Sequence, residues 1–202
     1  MEGKVLGRIG MFTSLLFPAM WAIAAKLDKD WTFGHNSLSA MGISSVPLTA
    51  ILFNVACIVT GALIVLYFYE LAKKDHGGGV AGAYIASLSG VFLSMVGVFN
   101  LNTGAFHYFF ATVFGLLATT GVVFYTMRDI NRRRGPQSIL TFTMLLLGLF
   151  VTLNFRFEIW EPIVVILGLA WLFLFSVGTF KPTWFWRVVI DFIESEIEQH
   201  EN

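Results

Sequence analysis

Six apolar stretches, at about residues 9–25, 47–69, 80–99, 107–127, 138–154 and 162–180, constrain this chain more than any other feature. Crossing the hydrocarbon core of a bilayer takes about 20 mostly apolar residues in a helix. In lipid a spanning segment must satisfy its own backbone, which leaves helices or a closed barrel. Composition agrees: 56% of the 202 residues are hydrophobic and only 13% are charged. A globular domain carries about 25% charged residues, so the excess apolar surface is expected to face lipid. Pro47, Pro136 and Pro162 lie at or near helix starts, where a missing N–H costs little. Pro18 falls inside the first stretch, where a kink is expected. The fold class expected is an all-α integral membrane bundle of six transmembrane helices over residues 1–182. A tail over 183–202 follows it.

Lys and Arg set the orientation, because cytoplasmic loops hold the excess of them. Ten of the 13 fall on one side: Lys4, Arg8, Lys73, Lys74, Arg128, Arg132, Arg133, Arg134, Lys181 and Arg187. Only Lys26, Lys29 and Arg156 fall on the other. Both termini are therefore expected in the cytoplasm. Lys4 and Arg8 before an apolar run resemble the start of a signal peptide, but no clear small-residue cleavage site follows, so the first run is read as a retained helix. In the tail, Val188, Val189, Phe192, Ile193 and Ile197 recur at helical spacing with acidic residues opposite. This reads as an interfacial amphipathic helix, the alternative being a frayed polar tail.

Gly78, Gly82, Ala86, Gly90 and Ser94 recur every four residues in the third run, and Ala111, Gly115 and Ala118 or Thr119 offer a partner in the fourth. Small residues let helices approach closely in lipid, so a tight pairing of these two helices is expected. A dimer interface or a narrow pore lining is the alternative, which keeps a homo-oligomer open. No run holds a charge at mid-depth, and Glu70 and Glu161 sit near ends. That argues against a proton-driven transporter. A channel lined by neutral polar groups stays open, although no continuous polar stripe runs through the spans.

The segment "WTFGHNSLSAMG", residues 31–42, joins the first two helices on the sparsely charged side. With the other outer loops it supplies His35, Asn36, Ser37, Asn102, His107, Arg156 and Glu158, and Asn54 lies about two turns into the second span from the same side. These eight are the candidate ligand-binding residues. Arg suits an anionic headgroup through paired hydrogen bonds, and the surrounding Phe, Trp and Tyr suit a chain. The leading functional expectation is binding of a lipid or amphipathic ligand at the outer end. A lipid-modifying hydrolase using His35 or His107 as base is the alternative, and a channel is a further one. Only two of the four histidines are outside, and no HxxxH or HExxH spacing exists. No metal or other cofactor is therefore expected, because a catalytic zinc takes three protein ligands. Each residue also has a structural reading. Asn36 or Ser37 would cap a short helix, Asn54 would bridge helices, His107 would satisfy backbone, and Arg156 would pair with Glu158 or Glu161. Membrane lipids are the partners expected. Zero net charge gives no sign of nucleic acid, and the lone Cys57 permits no internal disulfide.

"HNSLSAMG", "AILFNVACIVTG" and "GAFHYFFATVFG" together resemble the uncharacterised prokaryotic membrane family called domain of unknown function nine-nine-eight. That family is distantly similar to the DRAM and Sfk-type six-helix proteins. The matching positions are Asn36, Ser37, Gly42, Phe53, Asn54, Gly61, Gly104, His107 and Ala111, within residues 9–180. The resemblance implies a six-helix bundle in a prokaryotic plasma membrane. It also implies polar signatures in the first outer loop and at the start of the fourth helix, and it carries no catalytic set. The acidic tail is not part of the pattern.

Overall fold

Helices form where backbone groups have no other partner, and each apolar run does become one. The computed structural model describes residues 2–180, apart from the side chain of Phe180. The expected amphipathic tail over 183–202 lies outside the described residues. The helices are α1 (Gly3–Leu27), α2 (Pro47–Ala72), α3 (Gly78–Val98), α4 (Ala105–Asn131), α5 (Gly135–Asn154) and α6 (Phe157–Phe180). All six are long and apolar enough to cross a membrane. Two 3-10 turns, Leu38–Ile43 and Leu101–Thr103, sit in the connections at the end away from the clustered Arg and Lys. Among the described residues there is no strand, only one isolated bridge between Phe33 and Asn36. The protein is thus an all-α, multi-pass membrane bundle.

Helix bounds depart from the expected spans where polar residues extend them. Pro18 lies inside α1 without ending it. Pro162 lies inside α6, which starts five residues earlier, at Phe157. Helix α4 runs past its apolar stretch to Asn131 and so takes in Arg128 and Asp129.

Consecutive helices pack side by side, and α6 returns against α1 to close the ring. The contacts of α5 with α4 and α6 are the lightest. The interior is aromatic towards the Arg-rich end: Phe68 of α2 stacks on Trp171 of α6, and Tyr125 of α4 packs on Phe175. Large apolar side chains point outward all around, Leu153 being 73% exposed. A lipid environment accounts for that exposure better than water does.

The small residues of α3 divide between two neighbours. A Cβ at Gly82 would meet Phe124 of α4, and Gly121 of α4 lies against Ala86. Further along, Gly90 faces the backbone of Gly61 on α2, and the Ser94 hydroxyl donates to the Ile58 carbonyl at 3.1 Å. The expected α3–α4 pairing exists, with small residues at the Gly82–Gly121 end and aromatic contacts of Phe92 with Phe109 and Phe110 at the other. Gly115, expected to join it, has nothing within 4 Å.

Candidate functional site

The loop between α1 and α2, expected on the outer side, folds down as a plug. Leu38 and Met41 are buried in the hydrophobic core, and Trp31 packs edge-on against Trp21. The backbone polar groups of this loop are satisfied by side chains around it. The indole of Trp31 donates to the Ser37 carbonyl at 2.9 Å, and Asn36 Oδ1 accepts from the Thr32 N–H at 2.9 Å. Ser37 Oγ accepts from the Ala40 N–H and so caps the 3-10 turn. From α6, Glu161 accepts from the Leu38 N–H at 2.6 Å and from the Ser39 hydroxyl at 2.9 Å. The Asn54 amide of α2 donates to the Gly42 carbonyl at 2.9 Å.

Of the eight outer candidates, Asn36, Ser37, Asn54 and His107 are thus engaged with backbone. His107 is 2% exposed, and its Nδ1 lies 2.8 Å from the Phe99 carbonyl. A carbonyl only accepts, so Nδ1 carries the proton. His35, Asn102 and Arg156 are exposed and Glu158 is half-buried. Among the described residues Arg156 forms no ion pair, with Glu158, Glu161 or any other carboxylate. Among the same residues no three His, Cys, Asp or Glu side chains stand close enough to share a metal ion.

A second constellation lies at the opposite, basic end, and spacing along the sequence did not reveal it. The loop after α2 carries Asp75, and the last turns of α4 carry Arg128, Asp129 and Arg132. Arg128 donates through Nη1 to Asp75 Oδ2 at 2.6 Å and through Nη2 to Asp129 Oδ1 at 2.6 Å, with Nε also on Asp129 at 3.0 Å. Its guanidinium lies over the Tyr125 ring at 4.5 Å. Arg132 donates to Asp75 Oδ1 at 2.7 Å. Gly79 leaves room for this network, since a Cβ there would stand 2.5 Å from Asp75 Oδ2. Burial by itself pushes the Asp75 carboxyl up. The Arg128 hydrogen bond, the His76 N–H and the charges of Arg128 and Arg132 outweigh that and hold it below its ordinary 3.8.

The chain turn after α4 shapes the rim of this network. Arg133 sits in the left-handed region at φ 54, the Arg133 N–H donates to the Ile130 carbonyl, and the Arg134 N–H donates to the Asp129 carbonyl. This is the hydrogen-bond pattern of a Schellman cap. It brings Arg134 Nη1 to 4.0 Å from Asp129 Oδ1 without a close pair.

Beside the network opens a cavity of about 450 Å³ between the ends of α2, α4, α5 and α6. Small-molecule sites fall at about 300–1,000 Å³. Its lining is mixed: Lys74, Arg128, Arg132, Arg134, Asp75 and Asp129 are charged, Leu140, Trp171, Leu174 and Phe175 are apolar, and Gln137 and Thr141 are neutral and polar. Thr141 Oγ accepts from the Trp171 indole at 3.1 Å, which leaves its own hydrogen free to donate. Close by, the Tyr125 hydroxyl is buried without a hydrogen-bond partner among the described residues. None of the eight outer candidates lines this cavity.

The family model described as a protein of unknown function, DUF998, matches residues 11–178, so the chain belongs to that family. No curated protein and no solved structure matches the chain. No comparison links it to DRAM or Sfk-type proteins.

Proposed function

We propose that this DUF998 family member binds an amphipathic ligand drawn from the membrane, and that the ligand occupies the cavity at the basic end. The expected class of ligand is kept, and its location moves from the outer end to the opposite one. The observation that carries this reading is the mixed lining, which combines Arg132 and Arg134 with Leu140, Leu174 and Phe175. A charged head suits the first group and an apolar chain the second. The positive-inside rule would set this end at the cytoplasmic leaflet. At the outer end, the plug and the α4 start engage Asn36, Ser37, Asn54 and His107 with backbone, which takes up half of the polar groups expected to hold a ligand there.

Native mass spectrometry of the full chain, released from a mild detergent, tests the reading. The wild-type protein is expected to carry one bound amphiphile per chain. Leu174→Trp, which fills the apolar part of the lining without touching the ion network, is expected to lower that occupancy about tenfold, the loss of roughly 1.4 kcal/mol of binding. Equal retention by both proteins, or no bound amphiphile on either, overturns the reading.

A further inference from the structure

Charge at the cavity narrows the ligand further. Among the described residues, four cationic side chains line it against two carboxylates, a surplus of two positive charges. Arg128 is not one of the spare cations in geometric terms. Its Nε and both Nη groups are spent on Asp75 and Asp129, and its side chain is only 7% exposed. The surplus sits at the rim. Arg132 commits one Nη to Asp75 and is 36% exposed, while Arg134 reaches Asp129 only at 4.0 Å and is 47% exposed. Lys74 has no ion-pair partner among the described residues. Arg128 offsets one of the two carboxylate charges and Arg132 shares the other through Asp75, so the surplus of two belongs to Lys74, Arg132 and Arg134 as a group.

A phosphodiester head brings one negative charge. A phosphomonoester brings about 1.5 to 2 at pH 7, with three acceptor oxygens and a second pKa near 6. Two guanidiniums that still have free N–H groups match the latter in both charge and acceptor number. Thr141, with its hydroxyl hydrogen free, and Gln137, whose carboxamide engages no described residue, supply neutral donors in the same lining.

We infer that the cavity recognises a phosphomonoester joined to an apolar chain, held by Arg132 and Arg134 at the rim with the chain against Leu140, Leu174 and Phe175. This rests on the amphiphile reading above and names its headgroup. The same phosphate chemistry occurs in a lipid and in a soluble anion, and the test separates them.

The test measures binding to the detergent-purified full chain of three probes: dioctanoyl phosphatidic acid, dioctanoyl phosphatidylglycerol and inorganic phosphate. At pH 7.5 the phosphatidic acid is expected to bind at least about tenfold more tightly than the phosphatidylglycerol. At pH 5, where the monoester has lost most of its second charge, the ratio is expected to shrink towards one. Arg132→Gln combined with Arg134→Gln is expected to abolish the preference while phosphatidylglycerol binding persists, which reports that the cavity is still folded. Inorganic phosphate is expected to bind far more weakly than the phosphatidic acid. Equal affinity for the two lipids overturns the headgroup assignment and leaves the amphiphile reading standing. Failure of both lipids to bind overturns both. Inorganic phosphate binding as tightly as the phosphatidic acid overturns the lipid source. A preference that survives in the double variant overturns the role of the rim arginines.

Discussion

Replacing Arg128 with Met is expected to destabilise the protein by about 3–5 kcal/mol, the cost of breaking a buried ion pair by removing one partner. Arg128 is the shared counter-charge of Asp75 and Asp129, whose side chains are only 3% and 4% exposed. Without it two carboxylates stay buried at the inner edge of the cavity, opposed among the described residues by Arg132 and, at 4.0 Å, Arg134. For a chain of this size the loss corresponds to a fall in unfolding temperature of roughly 10 °C, read from tryptophan fluorescence in detergent. The triple variant Arg128→Met, Asp75→Asn, Asp129→Asn is expected to recover much of that loss, because the uncompensated charges are gone. A single variant within about 1 kcal/mol of the wild type would mean that the network is solvated and contributes little.

Gly61→Val is expected to cost about 2–3 kcal/mol or more, near the upper end of overpacking penalties. A Cβ at residue 61 would run into the Gly90 carbonyl, the Ser94 hydroxyl and, at 2.7 Å, the Ser94 backbone nitrogen. Two of these are main-chain atoms of a neighbouring helix, so no rotamer change relieves the clash and α3 must move away from α2. In lipid no hydrophobic force between helices replaces the lost close packing. Gly115→Val provides the control, because nothing lies within 4 Å of Gly115. The prediction is a clear fall in unfolding temperature for the first variant and almost none for the second. Equal effects would contradict the packing described.

The six spans were legible because lipid imposes a length, and length survives in any apolar run. The plug was partly legible too. Ser37 caps the 3-10 turn as its structural reading required, whereas Asn54 holds the Gly42 carbonyl of the loop instead of a neighbouring span. The division of the α3 stripe was not legible. Residues four apart on a helix of 3.6 residues per turn drift by about 40° at each step. Over Gly82 to Gly90 the small stripe therefore turns from α4 towards α2. The charged network escaped notice for a different reason. Counting Lys and Arg treats each as a solvated loop charge, and Arg128 entered that count although it closes the last turn of α4 in a buried position. Its partner Asp75 lies 53 residues away, and no periodicity connects the two. The available signal was local: Asp75 directly after Lys73 and Lys74, and Asp129 between Arg128 and Arg132–Arg134.

The central claim is that the cavity beside Arg128 holds a membrane amphiphile, and an experimental density map of the full chain in a lipid nanodisc tests it most directly. The account predicts a headgroup at the Arg132–Arg134 rim, with its chain running along Leu140, Leu174 and Phe175. A cavity filled only by ordered water, with lipid density confined to the outer surface of the bundle, would contradict it.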